Sequence, residues 1–208
     1  MYELIDTLTN HKVVCMTEFH DHTGGYFSGE DLGNLVAIHK ELATRYKDNP
    51  YVWFEPMNEP GGGSSPNSGA YLNVMRTIIK TVRDECGNNN IMVMPAEWWG
   101  QDGGCNPYSG SLLGYGPKVT SFDGKEYENI AFSYHSYDQW SSCRQNAIES
   151  YIKAFKEKGY AVFCGEYGPA LNRSWINMNE QLLRACQSTE TGRVFWSWYG
   201  GDHSKLLT

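Results

Sequence analysis

Zinc-ligand spacing is absent from this 208-residue chain: its six cysteines, Cys15, Cys86, Cys105, Cys143, Cys164 and Cys186, form no C-x-x-C pair and no Cys/His ligand pattern. No metal is implied. Long apolar runs are missing as well. None reaches 18 residues, which excludes an ordinary membrane-spanning helix, and Met1–Asn10 is acidic and polar where a secretory leader has a basic start and an apolar stretch. The chain therefore reads as soluble and without an export signal of its own. Positive charge is scarce: 17 Lys and Arg face 24 Asp and Glu, a net charge of −7, which argues against nucleic acid or an anionic membrane as partner. No G-x-G-x-x-G or G-x-x-x-x-G-K-[ST] loop follows any strand-like run, which weakens nucleotide binding.

Aromatic residues, by contrast, are abundant at 14%, with 7 Trp and 14 Tyr. Flat apolar rings with a polar edge suit stacking on the C–H faces of sugars, although ordinary core packing uses them too. Among the cysteines, Cys105 and Cys143 lie in Gly/Ser/Pro-rich loops and are the plausible disulfide pair, while Cys15 and Cys164 lie in apolar runs and read as buried thiols.

Six short apolar runs read as buried strands: Val13–Phe19, Tyr51–Met57, Ile91–Pro95, Ile130–Tyr134, Tyr160–Cys164 and Arg193–Trp198. Amphipathic helical spacing separates them at Leu32–Tyr46, Ala70–Cys86, Gln145–Lys158 and Ile176–Gln187. The connection after the third run is unclear, because Gly103–Lys118 is rich in Gly, Pro, Ser and Tyr. Alternating strands and helices predict a parallel sheet, either doubly wound or part of a (β/α)8 TIM barrel. Polar and aromatic groups stand at the C-terminal end of every run, the distribution a barrel's active face requires, so one α/β barrel domain spanning 1–208 is the expectation.

Five acids occupy strand-end or strand positions: Glu18, Glu55, Glu59, Glu97 and Glu166. Retaining glycoside hydrolysis needs two carboxyls about 5–5.5 Å apart, brought together by the fold and not by sequence proximity. Glu55, inside the second run, reads as a satisfied partner within the barrel. Glu18 and Glu97 read as supporting hydrogen-bonders more than as reacting groups. Glu59 follows Asn58 and precedes Pro60 and three glycines, and Glu166 stands between Gly165 and Tyr167-Gly168, where a nearby tyrosine could hold it ionised.

These blocks resemble glycoside hydrolase family 5 of the GH-A clan, the (β/α)8 cellulases and mannanases. Asn58-Glu59-Pro60 looks like its fourth, acid/base strand, and Gly165-Glu166-Tyr167-Gly168 like its seventh, nucleophile strand. His20 resembles the third-strand histidine, His135 and Tyr137 the sixth-strand pair, and Trp196 the eighth-strand platform. The resemblance implies that Glu59 and Glu166 are catalytic, that Asn58 holds the 2-hydroxyl, that His135 and Tyr137 flank the nucleophile, and that Trp196 stacks on the cleaved sugar. Read from the residues alone, His20 could instead be a core histidine bonded to Glu18, and Trp198 could be the exposed ring in place of Trp196. Segments His20–Gly24, Trp99–Asp102 and Trp196–Trp198 look similar to bacterial β-mannanases, which adds Trp99 as a substrate-binding residue and leans towards mannan over cellulose. No cofactor is implied, the partner is a polysaccharide or oligosaccharide, and an extracellular location follows from the family alone.

Counting back from Glu59 makes Val13–Phe19 the third barrel strand, so strands 3 to 8 are expected and strands 1 and 2 are missing, along with an arginine that the family carries on its second strand. An open barrel exposes unpaired edges and predicts association through them. A non-catalytic carbohydrate-binding fragment is accordingly the second reading.

Overall fold

The computed structural model describes residues 1–63, 66–168 and 173–197. Along the chain come α1 (Tyr2–Asn10), β1 (Cys15–Thr17), α2 (Gly29–Arg45), β2 (Val52–Phe54), α3 (Ser68–Lys80), β3 (Met92–Pro95) and α4 (Leu112–Thr120). A small antiparallel hairpin follows, β4 (Ser121–Phe122) and β5 (Lys125–Glu126), then β6 (Ile130–Ser136), α5 (Gln145–Glu157), β7 (Ala161–Tyr167), α6 (Arg173–Ser188) and β8 (Arg193–Phe195).

Six strands form one parallel sheet in the order β1-β2-β3-β6-β7-β8. Apart from the hairpin, neighbours in the sheet are neighbours in sequence. A doubly wound sheet reverses its strand order at a switch point, and none occurs here, so the barrel alternative stands. The described strands make an open half-barrel, and the outer sides of β1 and β8 have no strand partner among the described residues.

Helices cover the outer face with the stripe each sequence period requires. Tyr71, Val74, Met75, Ile78 and Ile79 of α3 are fully buried, as are Ile148, Tyr151, Ile152 and Phe155 of α5, against strand residues such as Phe54, Met94, Phe132 and Cys164. Asn67 caps α3, its side chain accepting from the Ala70 N–H at 3.1 Å. The run read as Ala70–Cys86 is α-helical only to Lys80; a π-turn over Thr81–Glu85 completes it.

The unclear connection after the third run contains α4. Its cap is remote: Asp102 Oδ1 accepts from the Ser111 N–H at 2.8 Å and the Leu112 N–H at 3.0 Å. Gly116 is needed there, because a Cβ would stand 2.4 Å from the Tyr160 ring. Helix-breaking residues and a cap nine positions upstream of Ser111 hide this helix from a local reading. Cys105 and Cys143 form the expected disulfide, with Cα atoms 6.1 Å apart. Cys164 is a buried free thiol, as read, whereas Cys15 is only half-buried because β1 lies at the sheet's edge.

Candidate active site

Glu59, His135 and Glu166 meet at the C-terminal ends of β2, β6 and β7. Each offers an atom within 4.8 Å of the other two. His135 Nδ1 lies 2.9 Å from Glu59 Oε1 and 3.5 Å from Glu166 Oε2. The Tyr137 hydroxyl donates to Glu166 Oε2 at 3.0 Å. The pairing of β6 with β7 explains how His135 and Glu166 come side by side: Tyr134 pairs with Cys164 but His135 pairs with Glu166, so Gly165 is the extra residue of a bulge. Glycine is required there, since a Cβ on Gly165 would lie 2.0 Å from Ser133 Oγ, and one on Gly100 would lie 2.7 Å from the His135 ring.

The backbone at the site departs from ordinary conformations. Glu59 has φ +40°, and Trp98, Trp99 and Gly100 follow one another at φ +54°, +57° and +69°. Left-handed residues with side chains persist only where their surroundings hold them, and they cluster at functional sites. Trp99 is thereby turned across Gly24 and Gly62, where its indole N–H donates to the Gly62 carbonyl at 3.3 Å, leaving the ring 43% exposed.

On the other side of the carboxylates, His20 Nδ1 bonds Glu18 at 2.9 Å, and its ring stacks on Trp196 at 5.2 Å and 13°. The pairing with Glu18 is as read, but His20 is no core histidine, because its side chain is half exposed. Asn58 is buried beside it, donating to Thr23 Oγ1 at 3.2 Å, with His20 Nε2 at 3.4 Å. Every sequence-selected residue, Glu59, Glu166, His20, Asn58, His135, Tyr137, Trp196 and Trp99, stands at this one end of the sheet. Trp198 lies outside the described residues.

The remaining acids divide. Glu97 is fully buried and accepts from the hydroxyls of Tyr26 and Tyr115, a supporting role as read, with partners too distant in sequence to be foreseen. Glu55 corrects the expectation of a satisfied partner: it is buried, and its Oε1 has no hydrogen-bond partner among the described residues. Burial, reinforced by the charges of Glu18 and Glu166, holds the Glu55 carboxyl well above the usual carboxylate range. Burial also raises Glu166; His135 opposes this, Glu59 adds to it, and the Tyr137 hydroxyl opposes it again.

Glu59, His135 and Glu166 are also the one trio among the described residues that could hold a metal ion. Metal ligands converge about 2 Å from one point. The 2.9 Å contact of His135 Nδ1 with Glu59 Oε1 is one that a hydrogen bond accounts for. A surface groove of about 520 Å³ lies elsewhere, between Ser141–Arg144 and Met178.

A model of the cellulase family, glycosyl hydrolase family 5, matches residues 1–202. Over 202 residues the chain is 29% identical to a mannan endo-1,4-β-mannosidase of Streptomyces lividans, covering 95% of this chain and 49% of that protein. It is 30% identical to a β-mannanase/endoglucanase A of Caldicellulosiruptor saccharolyticus, covering 89% of this chain and 13% of that protein. Among solved structures, the catalytic domain of a mannanase from Streptomyces sp. SirexAA-E superposes with a TM-score of 0.79 at 22% identity, over 98% of this chain and 62% of that one. The Thermomonospora fusca β-mannanase complexed with mannohexaose gives 0.76 at 24%, over 96% and 63%. The chain spans about half the length of the Streptomyces lividans relative.

Proposed function

Since the chain belongs to the cellulase family, glycosyl hydrolase family 5, we propose that it cleaves a β-1,4-linked glycan internally with retention of configuration, mannan ahead of cellulose. The observation that carries this reading is the Glu59–Glu166 pair, whose nearest oxygens lie within 4.8 Å. That separation suits a nucleophile and an acid; an inverting pair stands about 6.5–9.5 Å apart to admit a water. Glu166 attacks the anomeric carbon while Glu59 protonates the departing oxygen. Glu59 then takes a proton from water, which displaces Glu166 and releases the sugar. The roles follow from partners: the Tyr137 hydroxyl donates to Glu166 and favours its charge, whereas Glu59 faces an imidazole that can share its proton. In this reading Asn58 holds the 2-hydroxyl, and His20 with Trp196 forms a stacking wall at the cleaved sugar. Trp99 supplies a further platform.

Mannan is favoured because the relatives that match over most of this chain are named as mannan-cleaving enzymes, with endoglucanases at lower identity. We place the working protein outside the cell. The Cys105–Cys143 disulfide supports this, since oxidising compartments favour such bonds, as does a substrate too large to enter a cell.

Release of reducing ends from mannan and carboxymethyl-cellulose, with proton NMR of the first anomer, tests the reading. The expected outcome is the β-anomer, faster turnover of mannan, and loss of turnover on the order of 10⁴-fold in Glu166→Ala. An α-anomer as first product would refute retention. The open sheet edges and the unpartnered Glu55 oxygen favour a second reading, in which the half-barrel binds glycan without cleaving it. Calorimetric binding of mannohexaose with no product formed selects that reading.

A further inference from the structure

Glu97 is a buried carboxylate that the proposed chemistry does not use. It lies two residues beyond β3, and three donors from separate segments converge on it. The Tyr26 hydroxyl and the Asn67 N–H, at 2.9 Å, reach Oε1; the Tyr115 hydroxyl reaches Oε2 at 2.5 Å. Burial first, and the carboxylate second, hold both phenols well above their usual range, so both remain donors.

Two of these donors flank Glu59. The Gly24 N–H donates to the Glu59 carbonyl at 2.8 Å, the Gly61 N–H to Gly25 at 3.0 Å and the Gly62 N–H to Gly24 at 2.7 Å, so Gly24–Tyr26 is laced to Glu59–Gly62. Tyr26 fastens that lacing to Glu97 from one side. From the other, Asn67 begins α3 and ties its N-terminus to the same oxygen. The fit is close: a Cβ on Gly61 would stand 2.3 Å from the Tyr26 hydroxyl oxygen and 3.4 Å from Glu97 Oε1. Glu59 itself occupies the left-handed region at φ +40°, a conformation that its surroundings must impose.

We propose that Glu97 is a positioning residue for Glu59, fastening both flanks of the Glu59 turn to the end of β3 and so holding the Glu59 carboxyl in line with Glu166. The inference rests on Glu59 as the acid/base of the proposed function. Its signature is dependence on the leaving group, because a departing sugar needs proton donation whereas a dinitrophenolate does not.

The test compares kcat/KM of Glu97→Gln on mannohexaose and on a 2,4-dinitrophenyl β-mannobioside. A loss of about 10–100-fold is expected on the first and less than about threefold on the second. Tyr26→Phe, which removes the tie on the Glu59 side, should repeat the pattern and serves in place of Glu97→Gln if that variant does not fold. Tyr115→Phe touches only Oε2 and should lower the melting temperature while leaving the ratio of the two substrates unchanged. Equal losses on both substrates, or none in a folded variant, would overturn the proposal. Amide hydrogen exchange reads the same ties without turnover: the Gly61, Gly62 and Asn67 amides should exchange about fivefold faster or more in Glu97→Gln, with β6 and β7 unchanged. If the wild-type chain turns over neither substrate, the proposed function fails while exchange still decides the clamp, and unaltered exchange rejects it.

Discussion

Tyr137 shows how one hydroxyl can tune the proposed nucleophile. Burial pushes Glu166 up, and the hydrogen bond from Tyr137 is one of two contacts pulling it back. Removing the donor in Tyr137→Phe leaves burial less opposed, so Glu166 rises further and needs a higher pH to ionise. The acid limb of the kcat/KM profile on mannan should therefore move to higher pH, where the ionised nucleophile is the required form. A limb that stays in place or moves lower would show that the hydroxyl does not stabilise the carboxylate. At this scale the sequence was informative where chemistry is local: Glu59 and Glu166 were recognisable as acids at strand ends, and His135 with Tyr137 as an alternating pair. It was silent where the partner is remote. Nothing near Glu97 announces Tyr26, Asn67 and Tyr115, and nothing near Glu55 reveals that one oxygen would be left without a donor.

Among the elements, α4 and α2 carry buried titrating groups with opposite effects. Burial raises Asp102, the remote cap of α4, to about 6, against the N–H groups of Leu112 and Ser111 and the Tyr151 hydroxyl. A raised acid contributes stability that is full below its unfolded value of 3.8 and lost as pH rises through about 6. His39 on α2 is wholly buried with its Nε2 on the Pro56 carbonyl, and burial lowers it to about 4. Its contribution is full above the unfolded value of 6.5 and lost as pH falls through about 4. Each spans about 3 kcal/mol at 1.36 kcal/mol per pH unit, so the two nearly cancel in the wild type. Asp102→Asn keeps the cap's acceptor and should gain up to about 3 kcal/mol relative to wild type between pH 4 and 7; His39→Gln should show the reverse slope. Urea unfolding at both pH values measures this, and a pH-independent difference for either variant would contradict its assigned burial. The same helices mark what sequence periodicity could reach. α2, α5 and most of α3 were legible from their apolar stripes, whereas α4 was not, because its cap comes from Asp102 and its Gly116 answers to the crowding of Tyr160.

For the molecule as a whole, the strand count was legible and the strand lengths were not. Six apolar runs became six parallel strands, but β1, read as Val13–Phe19, pairs only over Cys15–Thr17. Of the residues that drop out, Val13 and Val14 are 47% and 44% exposed, and Leu4 of α1 is 63% exposed. An unpaired strand side with apolar residues beside it is a template for pairing with another chain, and natural edges suppress this with lysine. The half-barrel should therefore associate as its concentration rises, seen as a growing sedimentation coefficient. Val14→Lys adds charge at the exposed margin without touching the site, so it should shift the protein towards monomer at equal concentration. Association that is insensitive to Val14→Lys would move the contact to the opposite margin, where Val194 of β8 is 47% exposed, and a protein monomeric at every concentration would mean that neither open edge recruits a second chain.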